Sequence, residues 1–202
     1  MANDSSTGGY LAPTTALPAE DAALDAILVG LVAGVVGLPG NLVRPRWQLV
    51  PPTQPEASTD WCAIGVVDED PDPNISLLHS GVGQGSSTSV DNDIITVLAS
   101  FYGPSARGNA KVLRTGLMIP QNREKLYFVG LALVEIPGKS RFLPDMVNQR
   151  TLRRVDISMR FRRRTVLNWT ILNLLQMQGT VATDLGVSDP LQTPQSVSPL
   201  VE

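Results

Sequence analysis

An α+β fold is predicted for this chain, with a mainly antiparallel sheet flanked by helices and with extended N- and C-terminal arms. Apolar residues recur at helical spacing up to residue 36, residues 154–162 alternate between apolar and polar side chains, and both ends lack such periodicity. The 202 residues, 43% of them hydrophobic, suffice for one domain with a core. We assign a flexible arm to residues 1–17, a single domain to residues 18–178 and a second arm to residues 179–202.

The first arm and the first helix differ in composition. Residues 1–17 are small, polar and glycine-rich, so they bury too little surface to offset their ordering entropy. Pro18 suits a first helical turn, and the acidic residues after it suit the positive end of the helix dipole. The helix should end near residues 37–39, and Gly30 and Gly34 predict close packing on the sheet. Its apolar positions are Leu24, Ile27, Leu28, Leu31, Val32, Val35 and Val36.

A proline-rich segment, residues 44–60, follows the helix and is called the strap below. Prolines at positions 45, 51, 52 and 55 fix φ and exclude a continuous helix, so the backbone must be extended or turned. Trp47 lies in the strap and Trp61 follows it directly. A linker, a peptide ligand and a structural brace are all open for such a segment. The brace is favoured because tryptophan side chains are usually buried.

Three strands are predicted after the strap. Residues 61–67 form the first, and the acidic, proline-containing stretch 68–73 is expected to be an exposed turn. Residues 75–90 form a second strand that three glycines interrupt, or a flexible hairpin. Residues 93–102 form a third strand, and both of its faces are expected to be covered.

Two helices and a last strand complete the predicted domain. One helix starts at Pro104 and Ser105, and the next starts at Pro120 and continues through Leu133. In the last strand, apolar and polar side chains alternate, which predicts a half-buried strand with a charged outer face. The apolar set is Val155, Ile157, Met159 and Phe161, and the opposite set is Arg154, Asp156, Ser158, Arg160 and Arg162.

Charge is distributed unevenly along the chain. Residues 1–104 carry 12 acidic and 2 basic side chains, a net charge of −10, whereas residues 105–164 carry 4 acidic and 14 basic side chains, a net charge of +10. If the fold preserves this separation, one surface is acidic and another basic. Such a molecule suits head-to-tail association of identical subunits or capture of an acidic partner.

The single cysteine, Cys62, excludes an internal disulfide and a cysteine-based zinc site, and fits a reducing compartment. No secretory signal is evident. The apolar run at residues 26–38 has 13 residues, against about 20 for a membrane helix, so no membrane association is expected.

Enzymatic and metal-binding sites are disfavoured by the motifs present. His79, the only histidine, lies in a glycine- and serine-rich segment without a nucleophile elbow. Gly81, Gly83 and Gly85 lack the lysine and the helix start of a phosphate-binding loop. The acidic stretch 68–72 lacks the glycine and the distal glutamate of the twelve-residue calcium loop, and Asp91 and Asp93 lack partner ligands. We therefore predict no catalytic residue, no metal site and no cofactor.

Four arginines, Arg160, Arg162, Arg163 and Arg164, form the strongest electrostatic feature. Alternate arginines on a strand could contact DNA phosphates, a neighbour's carboxylates or solvent alone. A protein interface is favoured because the acidic first half of the chain offers a partner and aromatic stacking residues are sparse.

Four stretches in order carry a family resemblance: residues 60–66, 99–110, 113–126 and 155–157. Trp61 and Cys62 open the first, and Pro120 lies in the third. Together, over roughly residues 38–164, the chain resembles the neck or tail terminator proteins of tailed bacteriophages.

The resemblance implies a structural virion protein, made in the bacterial host cytoplasm, that forms a ring, commonly a hexamer, at the head-proximal end of the tail. Its implied partners are copies of itself, the tail tube and possibly sheath proteins, and the head connector, with DNA passing through the ring without sequence-specific binding. The expected interface residues are Arg44, Arg46, Trp47, Trp61, Arg160, Arg162 and Arg164. The alternatives are another tail or baseplate ring component and, further off, a regulatory nucleic-acid-binding protein.

Overall fold

The computed structural model describes residues 3–50, 52–147 and 150–175. In these residues seven strands form one sheet, and five of the six strand pairings are antiparallel, so the predicted α+β class is confirmed. The path across the sheet is β1-β2-β4-β7-β5, with β3 paired to β4 and β6 paired to β7. The strands are β1 (Val43–Pro45), β2 (Trp61–Asp70), β3 (Ser76–Ser80), β4 (Ser86–Tyr102), β5 (Leu131–Glu135), β6 (Arg141–Val147) and β7 (Arg150–Trp169).

The centre of the sheet is the long antiparallel pair of β4 and β7. Its register runs from Ser87 opposite Trp169 to Tyr102 opposite Arg154. Side chains alternate along both strands, and the predicted apolar face of β7 is confirmed. The buried residues on this face are Ile95, Val97, Ala99 and Phe101 of β4 and Val155, Ile157, Met159 and Phe161 of β7.

Three helices cover that apolar face, called the inner face here; the opposite face is the outer face. They are α1 (Asp21–Val36), α2 (Ala106–Gly116) and α3 (Pro120–Tyr127). Helix α1 ends at Gly37, whose positive φ of 79° allows the amide to bond the Ala33 carbonyl, as a glycine cap requires. Helix and strand side chains form one hydrophobic cluster that includes Cys62, whose thiol is buried.

Close helix packing occurs at a different glycine from those predicted. A Cβ at Gly30 or Gly34 would meet nothing within 4 Å, so the prediction of tight packing there is wrong. A Cβ at Gly116 of α2 would overlap the side chain of Val35. The contact between α1 and α2 therefore depends on Gly116.

Several element boundaries differ from the sequence prediction. Strand β2 continues through the acidic residues to Asp70, because the C-terminal part of the strand is exposed to solvent and tolerates charge. The segment 75–90 is a hairpin of β3 and the start of β4. Helix α3 ends at Tyr127, and Leu133 belongs to β5, since Gly130 has a φ of 77° and turns the chain back along β7. Strand β6 was not predicted.

The first arm contacts the end of β7. The Thr14 amide donates to the Asn168 carbonyl at 2.7 Å, and the Asn168 amide donates to the Thr15 hydroxyl at 3.0 Å. The predicted second arm, residues 179–202, lies outside the described residues, and the domain boundaries stay a prediction. None of the helices described here has the length and apolar character needed to cross a membrane.

Candidate functional site

The outer face of the sheet carries most of the predicted site residues. All three helices pack on the inner face, and the strap crosses the outer face, where Arg46 contacts Ser100. Trp61 is opposite Tyr102 on β4, and Tyr102 is opposite Arg154 on β7. Three neighbouring strands thus place these side chains in one row.

The row is a stack of arginine and aromatic side chains. The rings of Trp61 and Tyr102 are parallel within 7°, with centroids 4.1 Å apart. The Arg44 guanidinium lies 5.7 Å from the Trp61 ring centroid, and that of Arg154 lies 5.7 Å from the Tyr102 ring centroid. Each such cation–π contact contributes about 0.5–2 kcal/mol, depending on its exposure to water. Trp61 thus braces the root of the strap.

A buried carboxylate holds the end of this stack in place. Asp156 accepts hydrogen bonds from Nε and Nη2 of Arg154, both at 2.8 Å, while Asp145 lies 3.8 Å from Nη1. This hydrogen bonding raises the pKa of Arg154 above its usual value. Burial raises the pKa of Tyr102, whose hydroxyl therefore stays protonated.

Arg46 fastens the strap across the outer face. Its Nη2 donates to the hydroxyl of Ser100 on β4 at 2.6 Å, so the side chain crosses β2 at its small residues. The Trp47 indole N–H donates to the Val66 carbonyl at 2.7 Å, while the rest of the ring is 66% exposed. Gly65 makes room for both residues, because a Cβ there would lie 2.9 Å from Arg46 Cβ and 3.5 Å from Trp47 Cδ1.

Replacement of Gly65 by valine should therefore release the strap. We expect a loss of about 1–3 kcal/mol in the free energy of unfolding, measured by chemical denaturation, because the backbone must shift to admit the side chain. Gly34→Ala is the matched control, since a Cβ there meets nothing and helix propensity favours alanine by up to about 1 kcal/mol. Equal stability of Gly65→Val and the natural chain would contradict this packing.

The four arginines near the end of β7 have three different environments. Arg160 bridges Glu135 at 2.9 Å and Asp70 at 3.1 Å across the outer face. Arg162 and Arg164 are exposed, and no ion pair reaches them from the described residues.

Arg163 points to the inner face and is only 3% exposed. It pairs with Glu20 at 2.6 Å and donates to the Ala19 carbonyl at the start of α1. Arg163 is therefore separate from Arg160, Arg162 and Arg164, the alternate arginines that the sequence places among the interface residues. Its inward direction follows from the alternation that buries Phe161.

Two acidic side chains lie close together near the start of β4. Asp91 and Asp93 lie on the inner face, where burial and the neighbouring Asp93 raise the pKa of Asp91. Asp93 accepts the Asp72 amide at 3.0 Å. Among the residues described, no group of three or more histidine, cysteine, aspartate or glutamate side chains is arranged to hold a metal ion.

His79 links three segments of the chain. Its Nδ1 lies 2.9 Å from the Ser87 hydroxyl and its Nε2 lies 2.6 Å from Asn173 Oδ1. The order serine, histidine, amide resembles a nucleophilic arrangement, yet Ser87 is only 6% exposed and sits on a paired strand. The contacts therefore fasten the segment after β7 onto the β3–β4 hairpin.

The family model described as phage neck terminator protein matches residues 22–184. The chain belongs to this phage neck terminator family. No curated protein matches it significantly.

Membership in the neck terminator family gives the chain a structural role in the neck or tail of a bacteriophage virion. The match contains every strand and all but the first residue of α1, so it includes the outer-face stack, the strap and the arginines of β7. Tyr102, Arg154 and Asp156 belong to the stack, although sequence reasoning gave them no site role. The signal that could have found them is their place opposite one another in register, which needs the strand pairing.

Proposed function

We propose that copies of this chain form a ring, commonly a hexamer in the proteins it resembles, at the head-proximal end of the phage tail. The ring stops growth of the tail tube and offers a docking face to the head connector, with the DNA passing through its lumen. Its partners are copies of itself, tail tube and sheath proteins, and the connector. The function is steric, with no catalytic step and no cofactor.

The observation that carries the proposal is the charge separation on the folded domain. Asp68 and Glu69 lie at the end of β2, whereas Arg162 and Arg164 lie exposed at the end of β7. The neighbouring Arg160 and Arg163 are paired within the chain, with Asp70 and Glu20 respectively. β1 and β5 are opposite edges of the sheet path. Identical subunits with unlike edges associate head to tail, and such contacts close into rings when the rotation between neighbours allows it.

The seven predicted interface residues divide into two proposed roles. Trp47, Arg162 and Arg164 are exposed and suit direct contact with a neighbouring protein. The other four are held by partners within the chain, so we propose that they keep the contact surfaces in shape. They are Arg44, Arg46, Trp61 and Arg160.

A phage that lacks this gene tests the proposal. We expect particles with tails of irregular length that stay separate from filled heads, because nothing caps the tube, and restoration when the chain is supplied from a plasmid. Negative-stain images of wild-type necks labelled through a tag on this chain should show the label at the head-proximal end of the tail. Normal infectious virions without the chain would contradict the proposal.

A further inference from the structure

Two sheet edges lack a strand partner in the described part of the chain. β1 pairs with β2 only as far as Ile64, and the Trp47 indole then reaches the carbonyl of Val66. The rest of that edge, from Val67 to the end of β2, has no paired strand there. On the other side of the sheet, β5 pairs with β7 alone. Unpaired edges are natural sites for strand addition.

The two edges lie at the same position along the strand direction, which is called height here. Glu69 of β2 is opposite Ile95, Ile95 is opposite Phe161, and Phe161 is opposite Leu133 of β5. The strands β2, β4, β7 and β5 alternate in direction, so β2 and β5 run antiparallel to each other. A rotation about an axis along the strands changes neither height nor direction. It therefore brings the β2 edge of one copy beside the β5 edge of the next as an antiparallel pair.

The β2 edge is acidic. Asp68 and Glu69 lie on the edge itself, and a cavity of about 400 Å³ beside it is also lined by Asp21 and Asp25 at the start of α1. Burial and, less strongly, the charge of Asp21 raise the pKa of Asp25. Arg163 also lines this cavity, where it pairs with Glu20. The exposed ring of Trp47 forms one wall of this cavity.

The β5 edge is basic and apolar. Arg162 and Arg164 are exposed beside it on the outer face. On its inner side, Arg123 and Glu124 line a groove of about 280 Å³ between α3 and β5. Glu135 of β5 is paired with Arg160. Tyr127 lines this groove and is itself largely exposed. The charge of Arg162 and Arg164 beside the β5 edge is opposite to that of the β2 edge. Such complementarity favours one partner and one register.

Within one copy the two edges cannot meet, because β4 and β7 lie between them. We infer that each subunit contact pairs the acidic β2 edge of one copy with the basic β5 edge of the next. This inference rests on the proposed ring. Strand addition supplies backbone hydrogen bonds. On the outer face Asp68 faces Arg162 and Arg164 of the neighbouring copy, and on the inner face Glu69 faces its Arg123.

Charge reversal at each edge gives a sharp test. The variant Arg162→Glu/Arg164→Glu makes the outer side of the β5 edge acidic, and Asp68→Arg makes the outer side of the β2 edge basic, while Glu69 and Arg123 on the inner side stay unchanged. Each alone is expected to raise the protein concentration at half-assembly at least tenfold, measured by light scattering and sedimentation, since like charges then meet. Lys111→Glu/Arg114→Glu, two exposed positions on α2, is the matched control and should assemble like the natural chain.

Mixing the two variants in equal amounts should restore assembly. Every contact in an alternating ring then joins opposite charges, and closure requires an even number of subunits. Circular dichroism checks that each variant is folded. If the chain assembles only on the tail, the readout becomes complementation of the deleted phage by one variant, by both together, or by the control.

The outcomes separate the two claims. Normal assembly of either variant alone, or no restoration on mixing, overturns the edge pairing while the ring and the neck role stand. Normal virions without any copy of the chain overturn the neck role itself. Loss with each variant and rescue with the mixture supports the pairing.

Discussion

Replacement of Asp156 by asparagine is expected to lower the free energy of unfolding by about 2–4 kcal/mol, because removing one partner of a buried ion pair leaves the other charge uncompensated. Asp156 is only 5% exposed and accepts both hydrogen bonds from Arg154. An amide offers one acceptor oxygen in place of two and carries no charge. Urea denaturation of the purified chain, with the slope compared between variants, measures the change.

Asp145→Asn is the matched control for this change. Asp145 also faces Arg154, but at 3.8 Å and with a more exposed side chain, so the loss should stay below about 1 kcal/mol. A double variant, Arg154→Met/Asp156→Leu, should recover most of the stability, because paired apolar groups leave no unpaired charge. Equal losses for Asp145→Asn and Asp156→Asn would show that burial does not set the strength of this contact.

The same variant connects stability to the proposed interface. Arg154 lies over Tyr102, Tyr102 stacks on Trp61, and Trp61 lies under Arg44 of the strap. Without the Asp156 carboxylate, the Arg154 guanidinium is no longer held over the Tyr102 ring. The strap should then be cleaved faster by protease in Asp156→Asn than in Asp145→Asn.

The central fold was predictable because its signals are local. The alternation from Val155 to Phe161 identified β7 and its buried face, and the spacing from Leu24 to Val36 identified α1. Gly37 marked the helix end because a positive φ suits glycine.

The peripheral strands were not predictable from local pattern. Leu126, Val129 and Leu133 have helical spacing, but Leu133 is placed by pairing with Phe161, and that long-range contact outweighs local preference. Strand β6 contains Pro144, which suits only an edge position, and β6 exists because β7 offers a long partner.

The candidate site was predictable in part for the same reason. The burial that is usual for tryptophan favoured a brace. Trp61 does stack on Tyr102, but the Trp47 ring is 66% exposed. The partners Tyr102 and Arg154 come from strands far apart in sequence, so only the register reveals them. Arg163 is absent from the predicted interface residues, and the alternation that buries Phe161 does turn residue 163 inward.

The largest single loss of stability is expected for Phe161→Ala. Phe161 is fully buried between Ile95 of β4 and Leu133 of β5 in the same row of the sheet. Truncation of such a side chain costs about 3–5 kcal/mol, from lost apolar burial and the cavity that remains. For a domain of this size the midpoint of thermal unfolding should fall by on the order of 10 °C, measured by calorimetry.

Phe142→Ala is the matched control, because Phe142 lies on β6, is 59% exposed and has Arg107 near its ring. Its loss should stay near 0.5–1 kcal/mol, the value of an exposed cation–π contact. Phe161 also stands between Arg160 and Arg162 on β7 and in one row with both sheet edges of the inferred subunit contact. Under conditions where Phe161→Ala remains folded, a cavity at that row should loosen β5 and weaken assembly, whereas Phe142→Ala should assemble normally. Weaker assembly of Phe142→Ala than of Phe161→Ala would indicate that the subunit contact lies at β6 and not at β5.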